Sequence, residues 1–150
     1  MPEITTEWRC FDELTTGELY DLLRFRQNIF VVEQRSPYPD LDGLDRGAWH
    51  LLARLESELI GYLRLTVKPG PPPLLRIGRV AVAVHLRRQG LGGTLVQEAL
   101  RLIGEHYPAV DVALGAQAHL VPFYQGFGFA TSGEPYDDFG VSHIEMRMRF

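Results

Sequence analysis

One stretch narrows the choice of folds more than any other. Val80-Ala-Val-Ala-Val84 is five consecutive small or β-branched apolar residues, and it runs straight into His85-Leu-Arg-Arg-Gln-Gly-Leu-Gly-Gly-Thr94. Apolar residues at every position, rather than at every second one, suit a strand buried on both faces. After the turn the period changes. Leu91, Leu95, Ala99, Leu102 and Ile103 recur at the spacing of one helical face, which predicts a helix over Leu91–Ile103. A central strand thus feeds an Arg- and Gly-rich turn that opens a helix. A helix start leaves N–H groups unpaired and carries the positive end of the dipole. Glycines let backbone come close to a ligand, and Arg87 and Arg88 add charge. Together these make a cradle for a phosphate group.

The charge distribution agrees. The chain of 150 residues has a formal net charge of −4, which argues against a general nucleic-acid binder. Yet Leu59–Gln97 contains no acid and six basic residues, Arg64, Lys68, Arg76, Arg79, Arg87 and Arg88, so one segment tolerates an anion and the remainder does not. The alternative is a gap in acids that arises because strands avoid them.

Around this segment the chain reads as alternating elements. A first strand is expected over Glu7–Phe11. A helix follows from an N-cap at Thr15 or Thr16, with Leu19, Leu22, Leu23, Arg26 and Phe30 on one stripe, fading near Gln34 before Ser36-Pro37. Tyr38–Gly47 is a loop. Trp49–Leu55 and Leu59–Val67 form a hairpin, and Lys68–Pro73 is a stiff connector. Strands over Leu75–Val84, Val110–Leu114 and His143–Phe150, and a short helix over His119–Phe127, complete the order β-α-β-β-β-α-β-α-β, with one more short strand allowed near Phe129. This is a mixed sheet with packed helices, α/β or α+β, and the length fits one domain over 1–150. No apolar stretch approaches the roughly 20 residues of a membrane span. Met1–Trp8 lacks the pattern of a signal peptide, and the single cysteine, Cys10, forms no intrachain disulfide, so a cytoplasmic protein is expected.

The turn lacks the Gly-Lys-Ser/Thr of a Walker loop, and Leu95 stands where a dinucleotide fingerprint needs its third glycine. It does match Arg-x-x-Gly-x-Gly, as Arg87, Gly90 and Gly92. In this it resembles the pyrophosphate-binding signature of the GNAT family of N-acetyltransferases, with Val84 in place of a proline often found there. His119-Leu-Val-Pro-Phe-Tyr-Gln-Gly-Phe-Gly-Phe129 is similar to the family's later helix. Phe30–Gln34, Pro37-Tyr38, Asp40–Gly43, Gly115–His119 and His143–Met146 resemble its ElaA-like subfamily. The resemblance implies a splayed mixed sheet with helices on both faces. It also implies acetyl-CoA as acyl donor and direct transfer, in a ternary complex, to a small-molecule or peptide amine. On this resemblance the CoA site comprises Val80, Ala81 and Val82, whose backbone would meet the pantetheine arm and polarise the thioester carbonyl, and Arg87, Arg88, Gln89, Gly90, Leu91, Gly92, Gly93 and Thr94. Tyr124 would protonate the departing sulfur; the alternative is an aromatic packing beside Phe123 and Phe127.

An amine with a lysine-like pKa must lose a proton, which at pH 7 costs about 4.6 kcal/mol. Candidate bases are Glu33, His119 and His143. Each has a plain structural alternative: Glu33 paired with Arg35, His119 capping its helix, His143 satisfied at a strand start. Glu33, Asp40, Asp42 and Asp45 fall within thirteen residues opposed by Arg35 alone, so an acidic acceptor end and a cationic acceptor are expected, with Asp40, Asp42 and Asp45 binding substrate and partly exposed until it arrives. The spacing of these acids fails that of a calcium loop, and no metal is expected. Monomer and homodimer stay open. A non-catalytic CoA-binding or sensing module is the rival reading.

Overall fold

The computed structural model of the chain describes residues 3–149; Met1, Pro2 and Phe150, the last residue of the expected final strand, lie outside the described residues. Eight strands form one sheet: β1 (Ile4–Cys10), β2 (Trp49–Leu55), β3 (Glu58–Lys68), β4 (Leu74–Val82), β5 (Val112–Gln117), β6 (Ala130–Thr131), β7 (Tyr136–Asp138) and β8 (Val141–Met148). The spatial order is β1-β2-β3-β4-β5-β8-β6, with β7 also on β8. Among the described strands only β4 and β5 run parallel, a pairing made possible by the crossover through helix α2 (Leu91–His106).

Alternation along the strands divides the sheet into two faces. Leu51, Ala53, Leu63, Leu65, Leu75, Ile77, Val112, Leu114 and Met146 pack with Leu95, Val96, Ala99 and Ile103 of α2. The other face is apolar only beneath helix α1 (Thr16–Gln27), where Leu22 meets Leu52 and Tyr62. Helices therefore cover both faces, as expected. Thr15 is the N-cap of α1: its hydroxyl accepts from the Glu18 N–H at 3.0 Å, and the Glu18 carboxylate accepts from the Thr15 N–H at 3.0 Å. The helix continues as a wider turn, Asn28–Glu33, with bonds from Gln34 N to Ile29 O and from Ser36 N to Val31 O spanning five residues.

The central strands splay. β4 and β5 pair only through Leu75–Ile77 and Val112–Leu114. Beyond that, Gly78–Val82 keep β3 as partner and Gly115–Gln117 keep β8, so a gap opens between them. A bulge in β4 accompanies the divergence: Gly78 faces Arg64, Ala81 faces Tyr62, and Arg79 takes φ 52°. β4 stops at Val82, two residues earlier than the apolar run suggests, because Val84–Leu86 turns helical. The sequence reading has no strand at β7, where Asp137-Asp138 carries little β signal. Pairing with β8 around a two-residue turn, Phe139 (φ 50°) and Gly140 (φ 86°), creates it.

Candidate active site

The turn expected to cradle phosphate stands at one mouth of the gap. Gly90 is the N-cap of α2, at φ 86°, and no side chain caps the helix. The N–H groups of Leu91, Gly92 and Gly93 precede the first intrahelical donor, Thr94, whose N–H reaches Gly90 O at 3.1 Å. A Cβ at Gly92 would lie 3.7 Å from Phe123 and one at Gly93 3.6 Å from Phe127, ordinary contacts. The fold therefore does not need glycine at either place, although glycine in a helix costs up to about 1 kcal/mol relative to alanine. Both leave bare backbone beside the free N–H groups, and a pyrophosphate would fit there. The side chains behave differently from one another. Leu91 is buried in the core. The Thr94 hydroxyl donates back to Gly90 O, while Arg88 and Gln89 are exposed. Arg87 is a strut: its Nε donates to Val82 O at 3.0 Å and its guanidinium grips the Glu33 carboxylate, with Nη2 to Oε1 at 2.9 Å.

From this turn a cleft of about 950 Å³ runs past Val80, Ala81 and Val82 to Phe123 and Tyr124. A second cavity, about 310 Å³, opens on the far side of the splay. Phe30, Val80, Gln117, Leu120, Tyr124 and Val141 border both, so the two spaces meet there. Tyr124 belongs to the short helix α3 (Val121–Gln125), entered through Pro122. Its ring packs edge-on against Phe123, centroids 5.0 Å apart, and against Phe129 at 6.1 Å. Burial pushes its phenol up to about 12. Packing and a proton-donor role are compatible, because the ring is in contact while the residue borders both cavities.

The acidic loop is not the unpaired cluster that its sequence suggests. Asp40 and Asp45 are each 8% exposed. Arg26, fully buried on α1, reaches Asp40 at 3.0 Å and Asp45 at 2.7 Å. Arg64 on β3 binds Asp42 at 2.7 Å and Asp45 at 3.1 Å, and Arg79 at the bulge binds Asp40 at 2.9 Å and Asp42 at 3.1 Å. Three arginines and three aspartates thus form a closed network. Burial alone would raise the Asp42 carboxyl, but Arg64 and the Leu44 N–H hold it at about 2. The physical reason is distance in sequence: Arg26, Arg64 and Arg79 lie 14 to 39 residues from the acids they meet. The expectation of acids partly exposed until an amine arrives fails for Asp40 and Asp45, which are buried as well as paired, while Asp42 is paired but exposed. Behind the loop, buried His50 bridges Tyr62 Oη and Asp45 O.

The three candidate bases separate. Glu33 is paired with Arg87, not Arg35, and borders the larger cleft. His119 is exposed in a single turn, Ala118–Leu120, also on that side. His143 on β8 borders the smaller cavity and stacks on Tyr136, centroids 5.8 Å apart at 24°. Its Nδ1 lies 2.9 Å from Val141 O. A carbonyl oxygen only accepts, so Nδ1 carries a proton, and in the neutral ring Nε2 has the lone pair.

The wall of the smaller cavity is the polar half of alternating strands: Arg64 and Thr66 on β3, Arg76 and Gly78 on β4, Gly115 and Gln117 on β5, His143 on β8. Arg76 is bound by Glu145 through two bonds of 2.8 and 2.7 Å, which hold that carboxyl below its usual range. Sequence reading missed Arg64, Arg76, Tyr136 and Glu145 as site residues. The available signal was the alternation itself, in Leu63-Arg-Leu-Thr66, Leu75-Arg-Ile-Gly78 and His143-Ile-Glu-Met146. Among the described residues no group of three His, Cys, Asp or Glu could hold a metal, and no helix is long and apolar enough to cross a membrane.

Known proteins share this architecture. Residues 30–150 match the model of an acetyltransferase (GNAT) domain. Protein ElaA of Escherichia coli is 40% identical over 144 residues, 93% of this chain and 94% of that protein, and its crystal structure superimposes with a TM-score of 0.89 over 97% of this chain and 99% of that one. A UPF0039 protein of Synechocystis is 38% identical over 98% of this chain and 96% of its own length. The crystal structure of an acyl-CoA N-acyltransferase from Pseudomonas aeruginosa is 37% identical, with a TM-score of 0.92 over 97% and 99% of the two chains. A splayed sheet, an uncapped glycine turn and this degree of likeness lead to one conclusion: the chain belongs to the GNAT family of acyltransferases.

Proposed function

We propose that the chain transfers an acyl group, acetyl in the first instance, from acyl-CoA to a primary amine held in the smaller cavity, with both substrates bound together. The observation that carries this reading is the place of Tyr124, at the junction of the two cavities. The N–H groups at the start of α2 bind the pyrophosphate, and the edge of Gly78–Val82 that diverges from β5 lies along the pantetheine. A backbone N–H near Val80 polarises the thioester carbonyl. His143, through Nε2, takes the amine proton directly or through one water. Its tautomer and its border on the acceptor cavity favour it over Glu33 and His119, both on the donor side. The Tyr124 hydroxyl donates its hydrogen bond to the departing sulfur. The name of the Pseudomonas relative supports N-acyl transfer as the reaction class.

The test follows thiol release and acylated product by mass spectrometry across a panel of amines, alongside acetyl-CoA binding by calorimetry. Acyl transfer that falls in His143→Ala, with the loss recovered at high pH where the amine deprotonates unaided, is the expected result. Tight acetyl-CoA binding with no acylated amine anywhere in the panel would favour the sensing module instead.

A further inference from the structure

Resting on that reading, we infer that the amine acceptor carries a carboxylate and that Arg76 binds it. The arginines around the acceptor cavity set the pattern. Arg26 holds Asp40 and Asp45, Arg64 holds Asp42 and Asp45, and Arg79 holds Asp40 and Asp42. Each guanidinium thus bridges two carboxylates. Arg76 holds one, Glu145, using one N–H of each terminal nitrogen. Among the described residues its Nε–H and two further N–H donors have no partner. Its side chain is also the most open of the four, 40% exposed against 0, 5 and 13% for Arg26, Arg64 and Arg79. Arg76 lines the cavity.

The surroundings set a second polar group beside this donor edge. Arg76 pairs with Ala113 on β5, and its side chain reaches along that strand to Gly115, where a Cβ would lie 2.5 Å from the Tyr136 hydroxyl and 3.6 Å from Arg76 Nη2. The Tyr136 hydroxyl fills the space a Cβ would take, with Arg76 Nη2 beside it, so phenol and guanidinium lie next to each other over bare backbone. A guanidinium with a free edge and an adjacent hydroxyl is a carboxylate site by geometry. The aspartates that would attract a purely cationic amine are already neutralised by their own arginines. The half-buried Asp138, which borders the cavity, can match the acceptor's ammonium. The site is bipolar, and a cavity of about 310 Å³ suits an acceptor of amino-acid size.

The experiment compares amino acids with their own carboxamides, and with polyamines, at equal concentrations of unprotonated amine. Charge-assisted hydrogen bonds predict kcat/KM at least about tenfold higher for the carboxylate form. Arg76→Gln should abolish that advantage and leave acetyl-CoA affinity unchanged. Glu145→Gln, which frees the whole guanidinium, should enlarge it. Were Arg76 only a structural partner of Glu145, the two variants would move together. Equal use of acid and carboxamide, a preference for polyamines, or parallel effects in the two variants would overturn the inference while leaving acyl transfer intact. If no amine is acylated, the parent reading fails. The inference is then judged on thermal shifts of the CoA-loaded protein, which should rise with the amino acid, not with its carboxamide, and not in Arg76→Gln. No such difference would overturn it as well.

Discussion

Replacing Tyr124 by phenylalanine removes one oxygen and almost no volume. The ring contacts with Phe123 and Phe129 remain. The residue is 7% exposed, and burial is the sole cause of its raised pKa, with no hydrogen bond contributing. Deleting a hydroxyl that makes no hydrogen bond within the protein and is not sealed from the cavities is nearly neutral for folding, within about 1 kcal/mol in either direction. The effect on rate is bounded by the same burial. With a phenol near 12 and a thiol near 8.5, complete proton transfer to the thiolate is uphill by about 3.5 units, or about 4.8 kcal/mol. On the proposed mechanism, Tyr124 therefore donates a strong hydrogen bond as sulfur charge develops, rather than becoming phenolate. That places the loss at the lower end of general-acid effects, about 10²-fold in kcat, or about 2.7 kcal/mol. A phenol with this pKa also stays protonated through pH 10, so the wild-type profile should show no alkaline limb from Tyr124 below about pH 11. The assay is single-turnover acyl transfer from pH 6 to 10, with melting temperature and acetyl-CoA affinity as controls. An unchanged chemical step, or an alkaline limb near pH 9 that vanishes in the variant, would refute the reasoning.

Three further outcomes are expected. Gly92→Ala has room for its Cβ and should raise helix stability by up to about 1 kcal/mol, yet weaken CoA binding about tenfold or more by crowding the anion; calorimetry and thermal melting read the two opposite signs. Arg26→Leu strips a buried cation from Asp40 and Asp45 and should cost about 3 kcal/mol in urea unfolding, the lower end for breaking a buried pair, because Arg79 and Arg64 still hold those acids. Stability should fall on the acid side in two stages. Burial lowers the His50 pKa, so below about pH 6.5 the unfolded chain binds the extra proton first and stability declines from there. Asp42, held at about 2, and Asp45, also held low, add a second loss between about pH 4 and 2. In urea midpoints measured from pH 8 to 2.5, His50→Gln should flatten only the first stage.

Local chemistry in the chain was enough to determine the strand, glycine turn and helix proposed to hold the donor. An apolar run, a glycine turn and a helical stripe are contiguous from Val80 to Ile103, so strand, cradle and helix follow from neighbours alone. The Thr15 cap and the hairpin from Trp49 were legible for the same reason. The acceptor side was decided by tertiary structure. Asp40, Asp42 and Asp45 read as a free acidic loop because their partners, Arg26, Arg64 and Arg79, belong to α1, β3 and the β4 bulge. Glu33 meets Arg87 across 54 residues, and Arg76 meets Glu145 across 69. β7 exists only because β8 offers it a ladder. A helix cap or a turn is settled within a few residues of backbone. The sign of a pocket depends on which charges the folded sheet brings together, and that pairing is written in no single segment.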